Sequence, residues 1–245
     1  MTQGNTHLIL IPAFNPGRLL AETVAGALSR WSDVWVVADG SSDASHEPLA
    51  GATAPGLRVI VRAENGGKGE AVLTGAREAL ASGYTHALVM DADGQHPAGR
   101  IREFMEASLS APGAVVCGRP LFGPEAPRAR IYGRKLSVGL VRLETSGRAA
   151  ADPLFGFRVY PLAKLVAVLA GTRGGRRYDF DPEAAVRLAW AGVPAINLDA
   201  ECAYPRPDRG GVSHFHYVRD NLAMAAMHMR LILEMARGRR RAQAA

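Results

Sequence analysis

Apolar positions in the first half of the chain fall in short blocks separated by turn-forming residues. His7 to Pro12 (HLILIP) is an almost unbroken apolar run that meets Asn15, Pro16 and Gly17, which predicts a buried strand and then a loop. Leu20, Val24, Leu28 and Trp31 follow at helical spacing. Val34 to Ala38 (VWVVA) is valine-rich and stops at the turn-forming DGSSD, so it predicts a second buried strand. Leu57 to Val61 reads as a strand, Gly69 to Ser82 as a helix, and His86 to Met90 (HALVM) as a strand that stops at Asp91. Alternation at this pitch predicts βαβ units, and hence an α/β fold with a mostly parallel central sheet flanked by helices.

The second half is less regular. Strands are expected over Ala114 to Cys117, Gly156 to Tyr160 and Pro194 to Leu198, and helices over 128–146 and Pro182 to Ala191. From 217 to 237, Leu222, Ala226, Met229, Ile232, Leu233 and Ala236 recur at helical spacing, and a basic tail follows. The chain therefore divides into an α/β domain at 1–216 and a C-terminal amphipathic helix with its tail at 217–245.

Composition narrows the class. With 245 residues, 48% hydrophobic and 21% charged, the chain can build one large core and is not disordered. No stretch reaches the roughly 18 uncharged apolar residues of a bilayer span, and MTQGNTHLIL lacks the pattern of a signal peptide. Cys117 and Cys202 form neither a disulfide framework nor a zinc motif. These features point to a cytoplasmic protein. Charge is uneven: residues 1–125 hold 9 Lys and Arg against 13 Asp and Glu, and residues 126–245 hold 20 against 10. The basic half favours a phosphate-rich partner, and nucleic-acid signatures are missing, so no nucleic-acid partner is expected.

Three loops carry candidate chemistry. In Asp91-Ala92-Asp93-Gly94-Gln95-His96-Pro97, two carboxylates two residues apart on extended backbone point to one side. They follow a strand, where loops of a parallel sheet open onto the ligand crevice. Hard oxygen ligands there suit Mg2+ or Mn2+ shared with substrate phosphates, and the plainer alternative is a solvated acidic turn. Asp39 in ADGSSD could accept hydrogen bonds from a base or ribose, or cap the next helix. In Asn65-Gly66-Gly67-Lys68-Gly69-Glu70, glycines allow close backbone approach to a ligand and Lys68 can meet a phosphate. Neither a P-loop nor a GxGxxG fingerprint is present.

IPAFNPG, ADGSSD, NGGKGEA and DADGQHP, in this order, resemble the inverting glycosyltransferases of family 2, which have the GT-A fold. DADGQHP is most similar to the dolichyl- or polyprenyl-phosphate sugar synthases. GRP at 118–120, DPLFGFRVY at 152–160 and RGGVSHF at 209–215 extend the likeness. The resemblance implies that Pro12, Phe14, Asp39, Lys68 and Asp91 bind the nucleotide-sugar and that Asp93 and Gln95 hold the metal. It also implies that Arg119, Arg134, Arg209 and His214 meet donor or acceptor phosphates, with Arg134 counted among the catalytic groups. Ala38 departs from a usual Asp pair, and His214 stands where lysine is common.

The expected reaction is metal-dependent, inverting transfer from a nucleotide-diphosphate sugar to a lipid-linked or other membrane-associated acceptor. A hydroxyl acceptor needs a general base, for which Asp181 is the first choice in YDFDPE; the alternative for this cluster is helix capping. A phosphate acceptor needs none. The 217–237 segment, with four of the seven methionines, is expected either to lie on the inner face of the membrane against anionic lipid or to pack on protein, including a homodimer. Two other functions compete: a non-catalytic nucleotide-sugar or anionic-lipid binding module, and a sugar-phosphate nucleotidyltransferase.

Overall fold

The first apolar run forms β1 (His7–Ala13), and every one of its residues is buried. Burial on both faces is why its sequence is a continuous run rather than an alternation. β1 lies between β2 (Val34–Asp39) and β4 (His86–Val89), parallel to both, and β3 (Leu57–Arg62) adds outside β2. β5 (Val115–Phe122), β6 (Arg158–Pro161) and β7 (Ala195–Cys202) complete the sheet in the order β3-β2-β1-β4-β6-β5-β7. The computed structural model describes residues 6–123, 128–172, 174–203 and 217–238, with backbone alone at 128–133 and 217–218.

Helices cover both faces. Leu8, Leu10 and Val37 pack with residues of α3 (Lys68–Ala81), α6 (Leu162–Ala170) and α7 (Phe180–Trp190). Ile9, Ile11 and Val36 pack with α1 (Leu19–Leu28) and α4 (Ile101–Ser110) on the other side. Successive β1 residues thus serve opposite layers, as the two-residue strand period requires. A short α2 (Glu47–Ala50) follows β2. Outside α7, Val141 of α5 (Arg128–Thr145) and Met227 and Leu231 of α8 (Tyr217–Ala236) join Val186 and Trp190 in a third cluster.

The structure revises the expected pattern in the second half. β6 runs antiparallel to both neighbours and begins at Arg158, leaving Gly156 in the preceding loop. The helix α6 was not expected, because LAKLVAVLA is too uniformly apolar to distinguish a strand period from a helical one.

His7 and His86 face each other across the β1–β4 register and stack with ring centroids 4.4 Å apart. Both are buried, and His7 Nε2 is hydrogen-bonded to Ser108 Oγ at 3.0 Å. Burial, with His86 second, lowers the His7 pKa to about 4. An unfolded histidine titrates near 6.5, so as pH falls the unfolded chain takes the proton first. The stability present above that value should be lost progressively down to about 4. Urea unfolding across this window should show a falling midpoint that His7→Gln partly flattens; identical pH profiles would refute the assignment.

Candidate active site

Loops after β1, β2 and β4 emerge at the carboxyl edge of the sheet, where parallel α/β proteins place their ligands. The first two are laced together. Asn15 Oδ1 accepts the backbone N–H of Ser42 (2.7 Å) and of Asp43 (3.2 Å), and Asp43 Oδ2 accepts that of Gly17 (2.8 Å). Pro12 is buried within β1, and Phe14 is exposed on the loop beyond it.

Asp39, at the end of β2, is 2% exposed and shapes the neighbouring loop. Its oxygens accept the N–H groups of Gly66 (3.1 Å) and Gly67 (2.7 Å) and face Arg62 Nε at 3.1 Å. The loop leads into α3, where Gly69 N–H donates to the Arg176 carbonyl at 2.8 Å. A Cβ at Gly69 would collide with the Gly175 carbonyl oxygen. In this structure the close approach made possible by Gly69 is to the loop before α7, whereas a ligand was expected.

This packing delivers Lys68, the first residue of α3, to the crevice. Its ammonium lies 2.7 Å from Asp91 Oδ1 and 2.7 Å from Asp181 Oδ2, joining the end of β4 to the first turn of α7. Burial disfavours its charge, but Asp181 and Asp91 outweigh burial and hold the pKa above the usual lysine value. Burial likewise works against the charge of Asp91, yet Lys68 holds this carboxyl below its ordinary range. Asp93 goes the other way: burial, then the negative Asp91, push it upward. Two carboxyls two residues apart are thereby driven to opposite behaviour.

The floor beneath Lys68 comes from a part of the chain that was expected to be ordinary strand. A Cβ at Gly156 would occupy the place of Lys68 Nζ. Arg158 is fully buried and donates to the carbonyls of Asp181 (2.8 Å), Phe155 (3.0 Å) and Asp152 (3.2 Å). A charged residue inside the apolar GFRVY was the available signal. Tyr178 also escaped notice. Burial, then Asp220 of α8, then Asp91 raise its pKa to about 12.

His96 turns out to be a loop fastener. Its Nδ1 accepts the Asp91 backbone N–H at 2.8 Å, and its ring packs against Phe155 and Phe157. Burial lowers its pKa, consistent with a neutral accepting ring. Asp93 Oδ1 accepts the Gln95 backbone N–H at 3.0 Å, which closes the turn and leaves Gln95 half-buried beside it.

The expected phosphate-binding arginines are already partnered. Arg119 makes a two-pronged pair with Asp199 on the exposed β5–β7 edge. Arg134 does the same with Asp152, at 3.0 and 2.7 Å. Arg209 and His214 lie outside the described residues. The structure gathers Lys68, Asp91 and Asp181 into direct contact, and Asp93 and Gln95 share the Asp91 turn. The alternative of helix capping by this cluster is not realised through a side chain: Asp179, at the start of α7, instead accepts the N–H groups of Gly175 (2.8 Å) and Arg177 (3.0 Å) in the preceding loop.

A carboxylate-rich crevice at the carboxyl edge of such a sheet is the architecture of nucleotide-sugar enzymes, and the sequence family agrees. Residues 8–162 match "Glycosyl transferase family 2", and the chain belongs to that family. It is thus a glycosyltransferase, which sets aside the nucleotidyltransferase alternative. Glucosyl-3-phosphoglycerate synthase from Mycobacterium tuberculosis, in complex with Mn2+, UDP and glucosyl-3-phosphoglycerate, is similar at 19% identity and TM-score 0.60, covering 95% of this chain and 79% of its own. Mannosyl-3-phosphoglycerate synthase from Rubrobacter xylanophilus gives 19% identity, TM-score 0.63 and coverage of 96% and 75%. TarS from S. aureus, in complex with UDP-GlcNAc, gives 14%, 0.60, and 94% and 67%. These likenesses establish the GT-A fold. No curated protein matches the sequence.

Gly156→Ala tests the floor of the site. The added methyl displaces the Lys68 ammonium from a buried ion pair, so the thermal midpoint should fall. Transfer activity should fall by about tenfold or more as the ammonium leaves its two carboxylates. Unchanged activity would show that the position of Lys68 is immaterial.

Proposed function

We propose that the protein transfers a sugar, with inversion, from a nucleotide-diphosphate sugar to a phosphate-bearing acceptor presented at a membrane. The observation that carries this reading is the Asp91–Lys68–Asp181 bridge beside Asp93 at the carboxyl edge of the sheet. Glucosyl-3-phosphoglycerate synthase, similar in fold, supports it, since it is seen in complex with Mn2+ and UDP or UDP-glucose and with phosphoglyceric acid.

In the reaction, an acceptor phosphate oxygen bonds to the anomeric carbon from the face opposite the donor diphosphate. The bond from that carbon to the diphosphate oxygen breaks, and the nucleoside diphosphate leaves with the electron pair. Pro12, Phe14, Asp39, Lys68 and Asp91 bind the donor, with Asp39 acting through the loop it holds. Arg119 and Arg134 would meet a phosphate by exchanging one carboxylate partner for another anion, and Arg209 and His214 are the further phosphate contacts.

A Mg2+ or Mn2+ ion fits the residues present. Asp93 and Gln95 offer hard oxygen donors, and no cluster of three His, Cys, Asp or Glu exists among the described residues, so substrate oxygens would share the ion. Burial and Asp91 push the Asp93 carboxyl upward, and a nearby cation would oppose that rise. When bound, such an ion neutralises charge on the departing diphosphate.

Asp181 is read here as the holder of Lys68. It is 7% exposed, and its second oxygen is buried with no hydrogen-bond donor among the described residues. A phosphate acceptor is ionised at neutral pH and needs no base, which suits a carboxylate placed below the surface.

Asp93→Ala should lower transfer by about 10²-fold or more while leaving the unfolding midpoint unchanged, and EDTA should inhibit the intact enzyme reversibly. The assay is turnover of a panel of UDP- and GDP-sugars with Mn2+, by slow donor hydrolysis and then by transfer. Near-normal turnover of the variant, or full activity in EDTA, would refute the site. Asp181→Asn should raise the donor KM more than it lowers kcat and leave the pH profile of kcat unchanged in shape. Loss of one ionisation from that profile would make Asp181 the base.

A further inference from the structure

The distribution of charge around α8 is inverted for a helix on the surface of a water-soluble domain. From Leu222 to Ala236 its polar ionisable side chains are His228, Arg230 and Glu234, and each is bonded toward the protein. His228 Nδ1 meets Glu144 of α5 at 2.9 Å, Arg230 meets Glu183 of α7 at 2.6 Å, and Glu234 meets Arg187 at 3.1 Å. The outward face is left to Leu222, Ala225, Ala226, Met229, Leu233 and Ala236, with Leu222 65% and Met229 60% exposed. Their spacing of three, four or seven residues places them on one stripe.

The edges of this surface carry one sign of charge. Arg219 stands at the start of α8 and Arg237 just past its end, both exposed. On α5, which packs against α8, the exposed charges among the described side chains are Lys135 and Arg142, beside exposed Leu136 and Leu143. Of the acidic residues of the two helices, Glu144 and Asp220 are buried, Asp220 pairing with Arg219 at 3.1 Å, and Glu234 is paired with Arg187. The sequence continues with Arg239, Arg240 and Arg241.

We propose that this outward face of α8, bordered by Arg219, Arg142 and Arg237, docks on an anionic lipid bilayer. The inference deepens the proposed function, on which it rests for the source of the acceptor. Apolar side chains between cationic ends match the acyl boundary and headgroups of an anionic leaflet. A second copy is a poorer occupant, because antiparallel packing sets Arg219 of one copy near Arg237 of the other, and parallel packing sets each beside its equal.

The test is flotation of the full chain with vesicles of equal parts phosphatidylglycerol and phosphatidylcholine, against phosphatidylcholine alone, at low and high salt. Binding is expected to the anionic vesicles and to weaken with salt. Replacing Leu222, Met229 and Leu233 together by Glu should reduce it by at least about tenfold with an unchanged unfolding midpoint. Arg219→Gln with Arg237→Gln, which leaves the apolar stripe intact, should reduce it roughly fivefold per charge removed. No binding to anionic vesicles at low salt, or a dimer in light scattering that the triple variant dissociates, would overturn the proposal. Donor hydrolysis separates the two readings. Hydrolysis without vesicle binding overturns the docking surface alone, whereas vesicle binding without hydrolysis of any donor overturns the transferase chemistry alone.

Discussion

One ammonium serving two carboxylates organises this molecule. Lys68 is withdrawn from water at a cost that only paired opposite charge can offset, and Asp91 and Asp181 supply it from two different elements. The bridge brings α3, the end of β4 and the start of α7 to one point. It also leaves the crevice electronegative, because the carboxylates of Asp91, Asp93 and Asp181 outnumber the cations Lys68 and Arg158 set against them. A diphosphate entering such a place meets repulsion unless a cation accompanies it. The electrostatics that fix the local fold and those that select a metal-borne donor are thus the same.

What could be read from the residues alone follows the strength of local signals. The strands around Ile9, Val36 and Leu88 were legible because they are buried on both faces, and the three loops because they follow those strands. The partners of the loop residues were not legible. Asp39 was expected at a base, yet it meets two backbone N–H groups brought by a segment 27 residues away. His96 had the chemistry of a ligand, but folding turns its ring onto Phe155 and Phe157. Gly156 and Arg158 lie in DPLFGFRVY, which extends the family likeness, but neither residue had a role there, since their importance comes from what lies above and below them in space. The reversal of β6 depends on a long connection through α5 and has no local marker.

The basic character of the second half also changes meaning once its contacts are known. Arg119, Arg134, Arg187 and Arg230 each hold a carboxylate, and Arg158 is spent on backbone carbonyls. Much of the positive charge therefore works inside the fold. Among the described residues, Arg142, Arg219 and Arg237 remain exposed on the outer helices or at their ends. Folding decides where that charge is displayed.

Glu183 draws the outer helices into the same logic. It is fully buried, and its oxygens meet Arg187 (2.8 Å), Thr172 (3.0 Å) and Arg230 (2.6 Å), while Arg187 also reaches Glu234. Removing either arginine would strand negative charge in the interior, a defect on the order of 3–5 kcal/mol when one partner of a buried pair is lost. These four ionic residues therefore cannot drift independently. Substitution at one alters which changes are tolerated at the others, and the quartet should behave as an epistatic unit in which paired replacements survive where single ones do not.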